Sequence, residues 1–264
     1  MISATNIMLK IATFNVNSIR SRLHIVIPWL KENRPDILCM QETKVENRRF
    51  PEAEFHRIGY HVIFSGSKGR NGVAIASLEE PENISFGLDS DPRDEDRIVR
   101  AKIAGIDVIN TYVPQGFKIE SEKYQYKLQW LERLREYFVR TVDFNSYTVW
   151  CGDMNVAPEA IDVHSPEKLK NHVCFHEDAR KAYKKLLDLG FVDVLRKIHP
   201  GERIYTFYDY RVKGAIDRGL GWRVDAILAT PPLAERCVDC YADIKPRLAE
   251  KPPDHLPLVA VFDV

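Results

Sequence analysis

An α/β fold with two packed, mixed β-sheets flanked by helices is what this 264-residue chain predicts. Three observations carry that expectation. Short β-rich runs outnumber helical ones, many neighbouring runs are joined by connections too short for a crossover helix, and no Pro/Gly-rich linker divides the chain. Short connections argue against a doubly wound parallel sheet, and the missing linker argues for one domain.

In chain order, the first strand is expected at 9–15. A helical pattern over 21–33 follows, with Leu23, Ile27 and Leu30 on one face and Pro35 as its stop. Strands are then expected at 36–40, 60–64, 72–77, 98–103 and 106–113. Residues 121–140 form the strongest helical pattern, with Tyr124, Leu128, Leu131, Leu134 and Phe138 at helical spacing and Ser121 as N-cap. After a strand at 147–152, a third helix at 177–189 ends at Gly190, where a left-handed turn is wanted. Strands at 191–194, 204–208, 223–229, 237–244 and 257–263 complete the chain. The stretches 79–97, 154–176 and 209–222 read as irregular, each beside a motif. Residues 1–8 read as a short tail, with Met8 as an alternative start, and 9–264 as the single domain.

Apolar content of 45% and charged content of 29% are those of a soluble globular protein. No run approaches the ~20 apolar residues of a membrane span, and no secretory signal is visible at the N-terminus. Lys plus Arg balances Asp plus Glu at 38 each, so net charge neither suggests nor excludes nucleic acid; segregated charge could still bind it. The five cysteines are too sparse for a secreted disulfide scaffold. Cys39 and Cys151 fall in apolar runs, and Cys237-x-x-Cys240 has no second ligand pair, so all are expected to be structural thiols in a reducing cytoplasm.

The chemistry-bearing residues sit at predicted strand ends. Asn15 and Asn17 leave the first strand, Glu42 leaves DILCMQETK, Asp153 and Asn155 leave YTVWCGDMN, and Asp225 lies in GWRVDAIL. Asp254 and His255 stand between prolines near the C-terminus. Together they offer oxygen ligands for a hard cation and one histidine, without a thiolate, which suits metal-assisted phosphodiester hydrolysis. Gly152 allows a tight exit from its strand, so Asp153 and Asn155 can both face a site. One could orient or deprotonate water while the other holds a phosphate oxygen or the metal. Taken singly, Asn15 and Asn17 are equally readable as turn formers after a strand, whereas GDMN is the stronger signal and reads less readily as an Asx turn. Asp225 is costly to bury without a partner. Pairing it with His255 would fix the imidazole tautomer and stabilise its cation.

These motifs, with NGVAI, NTYVPQG, YTFYDYR and DHLPLV in the same order, resemble the exonuclease III family of apurinic/apyrimidinic (AP) endonucleases, within the endonuclease/exonuclease/phosphatase superfamily. The resemblance runs from about Leu9 to the C-terminus. It implies a four-layer α/β sandwich with the site at one end of the two sheets. It further implies a Mg²⁺-dependent hydrolase, with Mn²⁺ as a substitute, that cuts duplex DNA 5′ to an abasic site and trims blocked 3′ ends, acting as a cytoplasmic monomer.

Carried over by motif, Glu42 resembles the principal metal carboxylate, with Asn17 and Asp254 beside it and Asp153 and Asn155 within reach. Asp153 resembles the general base, or water-orienting group, with Asn155 as its partner. Tyr112 resembles the tyrosine that contacts the scissile phosphate, His255 with Asp225 the phosphate-polarising dyad, and Asn15 the residue that holds the constellation. Phe207, Trp222 and Val224 match the walls of the abasic pocket, where a normal base would clash. Arg211, Lys213 and Arg218 could hold or wedge the duplex. Arg20, Arg22, Lys44, Lys68, Arg70 and Lys118 are candidate phosphate contacts.

The chain departs from the family at Pro253, which replaces a serine before Asp254, at Gln115-Gly116, at the short loop after Gln115, and at Arg211. Two rival readings remain at this point. One is another phosphodiesterase chemistry of the superfamily (non-specific deoxyribonuclease, lipid or inositol phosphatase, RNA deadenylase); the other is a non-catalytic nucleic-acid binder on the same fold.

Overall fold

The structure, a computed structural model, describes residues 8–264. Its strands, in chain order, are β1 (Met8–Asn15), β2 (Ile37–Gln41), β3 (His61–Ser67), β4 (Arg70–Ser77), β5 (Glu82–Phe86) and β6 (Ile98–Ile103). They continue as β7 (Ile106–Tyr112), β8 (Thr148–Asp153), β9 (Val192–Asp193), β10 (Asp225–Ala229), β11 (Cys237–Ala242) and β12 (Leu258–Asp263). The α-helices are α1 (Ile19–Asn33), α2 (Glu52–His56), α3 (Glu122–Thr141), α4 (Pro166–Leu169), α5 (Glu177–Leu187), α6 (Val194–Ile198) and α7 (Pro231–Ala234).

One sheet has the order β11-β12-β1-β2-β4-β3 and the other β5-β6-β7-β8-β10-β9. Adding six to each strand number, counted around the chain, turns the first order into the second. Each sheet therefore has one parallel pair at its centre, β1 with β2 and β7 with β8, and antiparallel ladders elsewhere. A parallel pair needs a crossover; α1 supplies one and α3 the other. Ser121 caps α3 by accepting the Tyr124 N–H.

Three buried layers follow from this stacking. Between the sheets lie Leu9, Ile11, Cys39, Val108, Cys151 and Ile227. Outside the first sheet, Val26, Trp29 and Leu30 of α1 cover Phe14, Leu38 and Met40. Outside the second, Trp130, Leu134 and Phe138 of α3, with Tyr183 of α5, cover Ile109, Trp150 and Leu228. The result is the four-layer α/β sandwich.

Strand alternation then decides where polar groups go. The face of β1 that carries Leu9 and Ile11 also carries Thr13 and Asn15. By the same period of two, the inner face of β2 ends in Gln41, that of β7 in Asn110 and Tyr112, that of β8 in Asp153, and that of β10 begins with Asp225. The inter-sheet core thus turns from apolar to polar toward one end. Gln41 Nε2 donates to Asn110 Oδ1 (2.7 Å) and Thr13 Oγ1 (2.9 Å), which ties the first polar layer together across the sheets, while Gln41 Oε1 is buried without a partner. The layer beyond it holds the carboxylates. Carboxyl ends of both parallel pairs and amino ends of the antiparallel β10 and β12 all face this way.

Several elements differ from expectation. Met8, placed in the tail, opens β1 opposite Asp263; residues 1–7 lie outside the described residues. The run 204–208 is no strand: only Phe207 bridges, to Trp222 and His255, because the chain there crosses the end of the sandwich. Run 191–194 splits into β9 and α6, since Asp193 accepts the Arg196 N–H and caps the helix. β5 emerges inside 79–97 as a largely exposed edge strand whose polar residues gave no alternation to read. Gly190 adopts φ +126° just beyond α5. No helix of the described residues is long and apolar enough to cross a membrane.

Candidate active site

The polar end of the inter-sheet core opens into a cavity of about 460 Å³. Asp153 reaches it because β8 can hug β7 up to its last residue. A Cβ on Gly152 would lie 1.9 Å from the Thr111 carbonyl oxygen, at φ +145°, so only glycine fits. Beyond the strands the chain turns sharply: Asn17, Glu42, Lys44 and Asn155 all have φ between +42° and +52°. Left-handed backbone in non-glycine residues is uncommon, and its concentration at one mouth marks a place where geometry is over-determined by the surroundings.

Asn15 joins the two sheets. Its Nδ2 donates to Glu42 Oε1 (3.0 Å) and to Asp153 Oδ2 (2.8 Å), bridging two carboxylates that would otherwise repel. Tyr112 donates its hydroxyl to the same Glu42 oxygen (2.9 Å). The Asn155 N–H holds Asp153 Oδ1 (2.9 Å). On the other side, His255 Nδ1 meets Asp225 Oδ2 (2.9 Å), and its Nε2 faces Asp153 Oδ2 at 3.8 Å.

The electrostatics follow from burial. Burial opposes the charged form of His255, but Asp225 and Asp153 override it and raise its pKa to about 10. The imidazole is therefore cationic at neutral pH. Asp153 moves the other way from most paired carboxylates: burial, reinforced by Asp225 and Glu42, outweighs the pull of His255 and lifts its pKa. Burial also works on Glu42, yet the Lys44 ammonium and the hydrogen bonds from Lys44 and Asn15 hold it below the ordinary carboxylate value. Burial and Glu42 keep the Tyr112 phenol protonated, well above its usual range.

Donors that suit a hard cation lie on the Glu42 side. Asn17 Nδ2 donates to Asp254 Oδ1 (2.9 Å), and Lys44 Nζ rests between Glu42 Oε2 (2.5 Å) and Asn17 Oδ1 (2.7 Å). A positive charge already occupies that group of oxygens, as its chemistry demands. Lys44, expected at phosphate, instead neutralises Glu42, because the left-handed turn at 42–44 folds its side chain back. Asp153, Asp225 and His255 also bring one ligand atom each within 4.8 Å of one another. There, however, a ring nitrogen is spent on Asp225 and all three groups are buried, which suits a proton-holding dyad better than a hydrated metal.

The cavity wall carries Phe207, Trp222 and Val224, joined by His164, Leu169, His172 and Leu220. Phe207 also packs on His255, ring centroids 4.9 Å apart, and Trp222 lies 4.6 Å from His172. Arg211 lines the cavity but binds Asp209 of its own loop through Nε and Nη2. Arg20 and the half-buried Arg22 lie at the start of α1 and Arg70 opens β4, while Lys68, Lys118 and Lys213 lie in turns or bends; all but Arg22 are exposed. Arg218 is exposed and donates to the Lys213 carbonyl.

Sequence reasoning missed four features. His164 and His172 lack any motif. Tyr210, exposed at the rim, accepts from Asn17 Nδ2 (3.3 Å). Lys127 is fully buried behind Asn155. Arg223 is buried against Asp162 and Asp193. The last two were detectable, since each places a cation on an apolar face, the same signal that singled out Asp225.

The sequence profile described as the Endonuclease/Exonuclease/phosphatase family matches residues 12–252. Exodeoxyribonuclease III of Haemophilus influenzae is 34% identical over 96% of this chain and its own full length. A solved AP endonuclease from Archaeoglobus fulgidus is 89% identical, superimposes with a TM-score of 0.97, and covers 97% of this chain with all of its own. A solved 3′-5′ exonuclease from Neisseria meningitidis is 39% identical, with a TM-score of 0.94 and the same coverage.

Proposed function

This chain belongs to the endonuclease/exonuclease/phosphatase family, in its exonuclease III branch, and on that premise we propose a DNA repair nuclease that hydrolyses the phosphodiester 5′ to an abasic site in duplex DNA. The products are a 3′-hydroxyl and a 5′-deoxyribose phosphate, and the same site trims 3′ ends. One observation carries the reading: the carboxylate pair bridged by Asn15 faces the His255–Asp225 dyad at the head of a cavity walled by Phe207, Trp222 and Val224.

In this reading the scissile phosphate lies between His255 and Glu42. Asp153, whose raised pKa brings it near the working pH, orients the attacking water and takes its proton. The His255 cation, backed by Asp225, meets the charge that grows on the phosphate oxygens, and the Tyr112 hydroxyl turns from Glu42 to the same phosphate. Glu42, Asn17 and Asp254 would hold Mg²⁺, with Mn²⁺ as a substitute, and the ion would supply electrostatic stabilisation of the negative charge that develops during the displacement. A sugar lacking its base unstacks cheaply and fits against Phe207 and Trp222, whereas an intact nucleotide does not. The exposed Arg20, Lys68, Arg70, Lys118, Lys213 and Arg218, with the half-buried Arg22, track the backbone, and the enzyme acts as a cytoplasmic monomer.

The test is a panel of abasic, 3′-blocked and undamaged duplexes with Mg²⁺ or EDTA. Cleavage of the abasic duplex in Mg²⁺ alone is expected. Equal cutting of undamaged DNA would indicate a non-specific nuclease. Binding without cleavage of any member would indicate a non-catalytic relative.

A further inference from the structure

Lys127 has no part in the chemistry above, yet it is the one wholly buried lysine among the described residues. It lies on α3 among Tyr124, Trp130 and Leu131, on the face packed against the second sheet. Its ammonium donates to the carbonyls of Asn155 (2.7 Å), Val173 (2.7 Å) and Gln115 (3.3 Å). Those carbonyls belong to three loops that reach the cavity through Asn155, Cys174 and Gln115. An ammonium without a carboxylate partner is expensive to bury, and an apolar side chain of similar length would fill the helix face without that cost. Its burial therefore answers to the loops.

The middle loop connects Lys127 to the reacting groups. Asn155 sits at φ +48°, and in that conformation its N–H points at Asp153 Oδ1 (2.9 Å) while its Nδ2 donates to the Val113 carbonyl (2.9 Å). Its own carbonyl, turned away from the cavity, would have no partner in the helix face without the ammonium. We propose that Lys127 is a positioning residue for the hydrolysis: by fixing the Asn155 carbonyl it keeps the Asn155 N–H aimed at Asp153, and so sets the direction in which that carboxylate faces the attacking water. The inference rests on the reading of the site given above.

A double-mutant cycle on kcat tests it, using Lys127→Met, Asp153→Asn and the pair on the abasic duplex, with thermal melts of each. Lys127→Met is expected to lower kcat about 10²-fold, the scale of a misplaced catalytic group, with KM close to the parent value. The pair should be no slower than Asp153→Asn alone, because Lys127 acts only through the direction of that carboxylate. Lys127→Gln, which keeps a donor, should recover part of the rate. If Lys127→Met does not fold, the cycle is read with Lys127→Gln. Additive losses, or a loss carried by KM alone, overturn the positioning role while leaving the enzyme reading intact. A parent protein that cleaves no member of the panel overturns both.

Discussion

Arg223 and Asp225 stand two residues apart in one segment, and the two buried charge clusters they anchor are held in opposite ways. Arg223 donates to Asp162 through Nε (2.6 Å) and Nη2 (3.1 Å) and to Asp193 through Nη1 (2.6 Å), while Arg196 also reaches Asp162. Burial opposes the Asp162 charge, but the two guanidiniums more than offset it and its pKa is lowered. At Asp153 the balance reverses. One imidazolium is shared with Asp225, burial prevails, and the pKa rises. Complete pairing gives a stable joint. Incomplete pairing leaves a carboxylate whose proton is loosely decided, which is what a base near neutral pH requires.

The largest effect that could break this comparison is on catalysis. Asp153→Asn should cut single-turnover cleavage by up to ~10⁴-fold, the upper range for a positioned base. Because the native protein pays to hold Asp153 ionised, the same change should raise the thermal midpoint at pH 8. A variant that keeps its activity, or melts lower, would place Asp153 with Asp162 among the satisfied carboxylates.

Next in size is Arg223→Met, which leaves Asp162 buried without its main partner. A loss of about 3–5 kcal/mol in urea unfolding is expected, with kcat near the parent value wherever the protein stays folded. A loss under 1 kcal/mol would mean that Arg196 suffices and that the joint is not what ties this segment down.

How much of this was legible beforehand follows from the same physics. The parallel-pair strands and α3 were readable because a buried face imposes a period, as in Tyr124, Leu131, Leu134 and Phe138. Chemistry was readable where a polar residue ended an apolar run, as with Asn15, Asp153 and Asp225. What escaped depends on contacts made across the fold. Lys44 turns back on Glu42, Phe207 bridges rather than extends, and β5 exists only because β6 offers an edge. Lys127 and Arg223 had a local signal, a cation inside an apolar pattern, but their partners lie 12 to 61 residues away.

The smallest predicted effect concerns pH and sharpens the comparison most directly, since the two clusters should fail at opposite ends of the scale. His255 has a folded pKa of about 10 against an ordinary 6.5, so its contribution to stability is complete below 6.5 and is lost as pH rises through about 10. Asp162 has a lowered folded pKa, so its contribution is present above the ordinary aspartate range and is lost as pH falls. In metal-free buffer, thermal midpoints followed from acid to alkaline pH should separate the two. Asp225→Asn removes the largest attraction on His255 and should move the alkaline loss to lower pH while leaving the acid side unchanged. Arg223→Met should flatten the acid side and leave the alkaline one. If either substitution shifts both sides equally, the clusters titrate as one unit, and the division between a structural joint and a reactive one does not hold.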